Sequence, residues 1–264
     1  MQMSLSTDEL EQAAHALSQA EKTCSPISPL TERFSELDVE DAYGIQLHNV
    51  SDRLKAGEVV RGYKVGLTAK AMRDQLGVDQ PDFGHLFSSM ILDTEAQFQA
   101  SSFIAPRVEL EAAFVLCRDL EGPGVTVADV IRSTELVLPA IELIDSRIES
   151  WKIAFEDTVA DNASAARVIL GAQGASPRDL DLRLAGGALF RNGTLMETGS
   201  MVAVMGHPAV AVAWLANTLG ARGISFKAGD VVMPGSCIKA VDIGQGDVIH
   251  AEVAGLGCVD LSVS

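Results

Sequence analysis

The sequence predicts an α+β protein: a helical N-terminal region over residues 1–57, followed by a β-rich body over residues 58–264. Three observations predict this. Apolar residues in the first 57 positions recur every three or four residues, the period of a helix buried on one side. Beyond Gly57, short apolar runs of strand length are bounded by Gly, Pro, Asn and Asp. The regular strand–helix alternation of a dinucleotide-binding fold is missing, and neither a GxGxxG nor a P-loop signature occurs.

Each element follows from local chemistry. Thr7 is placed to cap a helix whose apolar positions are Leu10, Ala13, Ala14, Leu17 and Ala20. Cys24-Ser25-Pro26-Ile27-Ser28-Pro29 interrupts any period and reads as a loop. A second helix runs from Val39 through Ala42, Tyr43, Leu47, Val50 and Leu54, and stops at Gly57. Residues 59–67 read as a strand and residues 69–76 as a short helix ended by Gly77. Strands are expected over 108–116 and 136–144, with a short helix capped by Thr126 between them. Residues 201–205 read as a short strand before a helix begun by Pro208. Gly229-Asp230 and Gly246-Asp247 read as turns entering strands, and residues 259–263 alternate with period two.

Charge narrows the partners. The 264 residues hold 20 Lys and Arg against 36 Asp and Glu, a net charge of −16. Such a chain repels nucleic-acid phosphates and anionic membrane surfaces, so neither is expected as a partner. Residues 198–221 carry no charged side chain, but Gly206-His207-Pro208 breaks them, so no membrane span is expected. Cys24, Cys117, Cys237 and Cys258 form no CxxC pair, and a chain of this size needs no disulfide framework. The first residues turn acidic at once, with neither the basic nor the apolar region of a secretory signal. The expected location is the reducing cytoplasm.

Three groups of residues could carry chemistry. Glu109 and Glu111 lie two apart in a strand and so share a face. Alone, such a pair reads first as an exposed strand face. Glu142 changes that reading, because it sits inside the apolar run Leu136–Ile144, where a carboxylate is buried whichever way it points. A buried charge must be paired, protonated or bound to metal. Three glutamates together would form a hard, oxygen-only site for Mg²⁺ or Mn²⁺, while the five histidines are too scattered for zinc. Lys64 shares its strand face only with Gly62 and Gly66. Two readings stand: a lysine with open space beside it, pointing into a ligand cavity, or an edge-strand lysine beside glycine bulges. Asp82, in Gln80-Pro81-Asp82-Phe83-Gly84-His85, reads by default as a turn aspartate, and His85 as structural.

These segments resemble a known family. Gly62-Tyr63-Lys64-Val65-Gly66-Leu67-Thr68, Pro81-Asp82-Phe83-Gly84-His85-Leu86-Phe87 and Pro106-Arg107-Val108-Glu109-Leu110-Glu111 are similar to segments of the 2-oxopent-4-enoate (2-hydroxypenta-2,4-dienoate) hydratases. So are Leu138-Pro139-Ala140-Ile141-Glu142, Asp145-Ser146-Arg147-Ile148 and Asp157-Thr158-Val159-Ala160-Asp161-Asn162-Ala163-Ser164. The likeness covers most of the chain in the expected order and extends to the sister 4-oxalocrotonate decarboxylases of the fumarylacetoacetase superfamily. It implies a β-rich mixed roll preceded by helices. It also implies a divalent metal held by Glu109, Glu111 and Glu142, a catalytic Lys64, a serine near the substrate at Ser164, and a homo-oligomer working in meta-cleavage catabolism.

The resemblance also separates the activities. An aspartate at position 82 looks like the hydratases, which need a proton acceptor for water, whereas the decarboxylases carry an apolar residue there. Met233-Pro234-Gly235-Ser236-Cys237 departs from the Thr-Gly-Ala type of many pentadienoate hydratases. Gly235 and Ser236 are expected at the substrate, where that departure bears on the length of its tail. The expected activity is addition of water to a 2-hydroxyalka-2,4-dienoate. The alternatives are the decarboxylase and a non-catalytic metal-binding subunit.

Overall fold

The computed structural model describes residues 4–69, 73–74 and 77–264. The short helix expected over residues 69–76 lies largely outside the described residues. Helix α1 (Thr7–Thr23) buries Leu10, Ala13, Ala14, Leu17 and Ala20, the stripe its periodicity predicts. Its cap is Ser6 rather than Thr7. Ser6 accepts from the Glu9 amide and Glu9 reaches back to Ser6, a reciprocal box that Thr7 is one residue too late to make. After α2 (Leu30–Arg33), α3 (Val39–Lys55) starts from an Asp38–Asp41 box. On α3 the expected Ala42, Tyr43 and Val50 are buried, but Leu47 and Leu54 are exposed, and Ile45 and Gln46 complete the buried face in their place.

The body follows in the order β1 (Val60–Gly66), β2 (Asp82–Phe87), β3 (Ile91–Asp93), β4 (Ala96–Phe98), β5 (Arg107–Leu116), α4 (Val127–Ser133), β6 (Thr134–Ile144), α5 (Phe155–Ala160) and β7 (Ala165–Leu170). It continues through β8 (Gly186–Arg191), β9 (Thr194–Ser200), α6 (Pro208–Gly220), β10 (Val231–Met233), β11 (Val241–Asp242), β12 (Val248–Val253) and β13 (Gly257–Val263). A mixed sheet orders β2-β1-β10-β5-β6-β7-β3, with β11 also paired to β5. A second sheet orders β4-β13-β12-β8-β9. Thr126 caps α4 through Asp129, as its sequence predicts.

The strand expected over residues 201–205 is not formed. Met201–Ala203 is a 3₁₀ turn, because the chain must reverse at Gly206 (φ +82°) to enter α6. The stretch Met201–Gly220 has the length and composition of a membrane span. Its helical part is only 13 residues, however, and Ala209, Ala211, Val212, Leu215, Ala216 and Leu219 are buried in the protein core. A spanning helix needs about 20 residues.

Cross-strand partners share a face, so register decides what the large sheet presents. Leu110, Ala112, Phe114, Ile141, Leu143 and Val65 enter a core shared with α1, α3 and the second sheet. The opposite face carries Glu109, Glu111 and Ala113 from β5, Ala140 and Glu142 from β6, and Met233 from β10. Lys64 joins it from β1, opposite Met233, as does Asp82 from β2, opposite Gly66.

Candidate active site

Glu109 and Glu142 are directly opposed across β5 and β6, and Glu111 lies two residues further along the same face. One carboxylate oxygen from each comes within 4.8 Å of the others. Glu111 and Glu142 are fully buried, while Glu109 is half-buried and forms the open side of the cluster. Glu111 Oε2 accepts from the Gly235 amide at 2.8 Å. Glu111 Oε1 and both Glu142 oxygens make no hydrogen bond. Burial, reinforced by the charge of Glu142, pushes Glu109 up to about 7 and Glu111 well above the ordinary carboxylate range. Gly235 makes its contact possible: it sits at φ +106°, and a Cβ there would lie 2.2 Å from Thr68 Oγ1.

Leaving a polar group buried without a partner costs about 1–3 kcal/mol, and more for a charge. Oxygens short of hydrogen bonds on Glu111 and Glu142, in a cluster where Glu109, Glu111 and Glu142 each bring an oxygen within 4.8 Å of the others, are therefore a signal for a bound cation. The donor set is all oxygen, which fits a hard divalent ion.

Lys64 stands beside this cluster. Its Nζ is 3.4 Å from Glu142 Oε1 and donates to the Ala163 carbonyl at 3.0 Å. Burial alone would lower its pKa, but the charges of Glu142 and Asp82 outweigh burial and keep the ammonium charged. The space beside Lys64 is not open. A Cβ at Gly62 would meet the Val231 carbonyl at 1.9 Å, and one at Gly66 would meet Asp82 Oδ1 at 2.0 Å. The glycines admit the neighbouring strand and the Asp82 carboxylate to the lysine's flank.

Asp82 is not in a turn but opens β2, fully buried. Thr158 Oγ1 donates to its Oδ2 at 3.2 Å, and its Oδ1 is without a partner. Burial raises its pKa against the opposing pull of Lys64. The result is one sheet face that holds three metal-type carboxylates, a buried cation and a buried, more basic acid.

No protein-family model matches the chain. Over 250 residues it is 46% identical to the 2-hydroxyhexa-2,4-dienoate hydratase of Comamonas testosteroni, covering 94% of this chain and 95% of that one. Over 200 residues it is 50% identical to a 2-hydroxypent-2,4-dienoate hydratase of Pseudomonas putida, covering 75% and 90%. The chain belongs to the 2-hydroxydienoate hydratase family. Among solved structures it is similar to the 4-oxalocrotonate decarboxylase of Pseudomonas putida G7 complexed with magnesium and adipate. That match has a TM-score of 0.95 and 36% identity over all of both chains. The fumarylpyruvate hydrolase of Pseudomonas aeruginosa, solved with Mn²⁺ and pyruvate, shares the fold at TM-score 0.60 and 15% identity, covering 78% of this chain and 89% of that one. The α+β roll of the fumarylacetoacetase superfamily is thus the fold of this hydratase.

The remaining expected residues have definite places in the hydratase fold. Ser164 is buried, and its hydroxyl is 3.4 Å from Asp161 Oδ2. The Ser236 hydroxyl has two carbonyl acceptors within reach, Leu110 on β5 at 3.1 Å and Ile238 in its own turn at 3.0 Å. His85 is buried, bonded through Nδ1 to Gln46 Oε1 at 3.1 Å, and burial lowers its pKa to about 4. It is a neutral packing residue between Tyr63 and Phe83. Two features escape a reading of the sequence. Thr158 supplies the hydrogen bond to Asp82, although only its place in the quoted 157–164 segment marks it. The turn that offers the Ala163 carbonyl has Asn162, Ala163 and Ser164 at φ +53°, +50° and +55°. Left-handed backbone costs about 1–2 kcal/mol per non-glycine residue, and no glycine signals it here.

Proposed function

We propose that the protein is a hydro-lyase that adds water to a 2-hydroxyalka-2,4-dienoate to give a 4-hydroxy-2-oxoalkanoate. The observation that carries this reading is Asp82, a buried acid with one unpartnered oxygen on the same face as Lys64 and the three glutamates. Glu109, Glu111 and Glu142 would hold Mg²⁺ or Mn²⁺. When bound, such an ion supplies Lewis acidity at the substrate's C1 carboxylate and C2 oxygen.

The chain's own residues do the rest. The dienol first becomes a 2-oxo-3-enoate: the C2 hydroxyl loses its proton and C5 gains one. Lys64 stabilises charge on the C2 oxygen or passes that proton. The conjugated ketone is then electrophilic at C4. Asp82 orients water there and takes its proton, and the raised basicity of the buried carboxyl suits it to that task. The hydroxyl bonds to C4 and a proton to C3, so one water is consumed. Ser164, Gly235 and Ser236 border the substrate in this reading. The substrate is a small 2-hydroxydienoate or its 2-oxo acid tautomer, and the departure at 233–237 bears on the length of its tail. The working form is a cytoplasmic homo-oligomer.

The decarboxylase is the competing activity, since its fold overlays this chain at TM-score 0.95. Sequence favours the hydratases, at 46% and 50% identity against 36%. Purified protein with a 2-hydroxydienoate should lose dienol absorbance and form 4-hydroxy-2-oxo acid without CO₂. Faster CO₂ release from a 2-oxo-enedioate than hydration of any dienoate would replace this reading with the decarboxylase.

A further inference from the structure

Behind Lys64, residues 162–164 form the left-handed turn whose Ala163 carbonyl accepts from the lysine. The turn is gripped at both ends by one side chain. The Arg147 guanidinium donates through Nε to the Asp161 carboxylate and through Nη2 to the Asp161 carbonyl. Its Nη1 donates to the Ala165 carbonyl at 3.2 Å and to the Asp145 carbonyl at 2.8 Å. Arg147 thus contacts the residue before the turn and the residue after it. The Arg147 amide also donates to Asp161 Oδ2 at 3.0 Å. Asn162 ties the turn to β2: its Oδ1 accepts from the His85 amide at 2.7 Å and its Nδ2 donates to the His85 carbonyl at 2.9 Å. Gly84 permits that approach, since a Cβ there would lie 2.5 Å from the Asn162 carbonyl.

We infer that Arg147, Asp161 and Asn162 are positioning residues for Lys64: they lock the 162–164 turn in its left-handed shape so that the Ala163 carbonyl aims the ammonium at the reacting centre. Glu142 supplies the opposite charge at 3.4 Å but lies on the sheet face itself. Among the described residues, the directional acceptor for Lys64 Nζ is the turn carbonyl. A carbonyl oxygen accepts near its lone-pair directions in the peptide plane, so a rotation of the turn re-aims the lysine. Displacements of about 1 Å at a reacting group can cost as much as a hundredfold in rate. The inference rests on the reading of Lys64 as catalytic.

The far side of the turn borders a cavity of about 410 Å³ lined by Glu21, Asn49, Arg53, Arg147, Asp161 and Arg167. That space makes a chemical-rescue test possible. Arg147→Ala should lower kcat at least tenfold with KM little changed, and millimolar guanidinium should restore it where equal NaCl does not. Arg147→Lys keeps the charge but lacks the fork that spans Asp161 and Ala165, so it should stay impaired. Asn162→Gly serves if the Arg147 variants do not fold, because glycine holds φ near +53° without strain while losing the tie to β2. It too should lose kcat rather than raise KM.

Reductive methylation of Lys64 in the metal-free protein, followed by peptide mass spectrometry, provides a readout apart from turnover. Lys64 should react several times faster in these variants than in the wild type. Wild-type kcat together with wild-type Lys64 labelling in Asn162→Gly would overturn the inference. Normal turnover in Lys64→Met would instead remove the catalytic reading of the lysine, and the labelling would still decide whether the turn positions it.

Discussion

In the eight-stranded sheet, Glu109, Glu111 and Glu142 bring ligand oxygens within 4.8 Å of one another; in the five-stranded sheet, His250, Cys258 and Asp260 bring theirs equally close. Both groups are made the same way, by residues on one face of two adjacent antiparallel strands. In the second group the needs of the side chains are met. His250 Nδ1 pairs with Asp260 Oδ1 at 2.7 Å, and His250, Asp260 and Cys258 are all open to water. In the first, two of three carboxylates are fully buried and three of their oxygens have no hydrogen bond. Sheet geometry supplies ligand spacing at no cost. Burying unpartnered carboxylates is costly, and in the folded protein something must offset it. Spacing therefore identifies a possible ligand set, and burial of carboxylate oxygens without hydrogen bonds singles out the glutamates as the set proposed to hold metal.

The comparison breaks most visibly if the buried cluster is dispensable. Chelation with EDTA should abolish turnover and Mg²⁺ or Mn²⁺ should restore it, while Glu142→Gln should lose metal affinity measured by calorimetry without unfolding. Full activity in metal-free protein would put the two clusters on an equal footing.

Lys64 comes next in size. Methionine is close to lysine in length and fills the same tight slot without the charge, so Lys64→Met should fold while kcat drops by about 10²–10⁴, the scale for a positioned acid or base. Circular dichroism and steady-state kinetics on the same preparation check both halves.

Asp82→Asn should reduce hydration by about two orders of magnitude yet still tautomerise the dienol. NMR in D₂O should then show 2-oxo-3-enoate accumulating with deuterium in the chain. Hydration at the wild-type rate would remove Asp82 from the water step.

The pH dependence sharpens the contrast. The pKa of Glu109 in the fold is raised, from an ordinary value near 4.5 to about 7, and that of Glu111 is also raised well above its ordinary value. Groups raised in this way stabilise the fold fully below their ordinary pKa and lose that contribution as pH rises through the folded one. The melting temperature of metal-free protein should therefore fall between about pH 4.5 and 7 and beyond, and divalent metal should reverse the fall. Metal-free Glu111→Gln should melt above the wild type at pH 8 by a few degrees, at roughly 2–4 °C per kcal/mol for a chain of this size.

The smallest effect is expected at the exposed cluster. His250→Ala removes a solvent-facing pair worth about 0–1 kcal/mol and should leave kcat unchanged. A tenfold loss of turnover there would mean that burial was the wrong discriminator.

These differences also explain what the sequence could reveal. The helical stripe of α1, the Thr126 cap and the strands carrying the glutamates were legible because they are set by neighbours within a few residues. Glu109 and Glu111 shared a face by period two alone. That Glu142 stands opposite Glu109 is a matter of register between strands, which no local pattern fixes. Asp82 read as a turn residue because Pro81 and Gly84 flank it, and only pairing with β1 turns it inward. The left-handed turn at 162–164 was invisible because its partners, Arg147 at Asp161 and Ala165 and His85 at Asn162, lie outside the segment. The apolar run at 201–205 misled because the reversal at Gly206 depends on where α6 docks.

Gly66 has a consequence for how this protein tolerates change. It has no functional group, yet Asp82 Oδ1 occupies the place its side chain would take. A substitution as small as Gly66→Ala evicts the acid, so in a saturation screen this position should be as intolerant as Asp82 itself. An inventory of reactive groups would pass over it. In reshaping this enzyme for new substrates, the least adjustable part of the pocket is a missing methyl group.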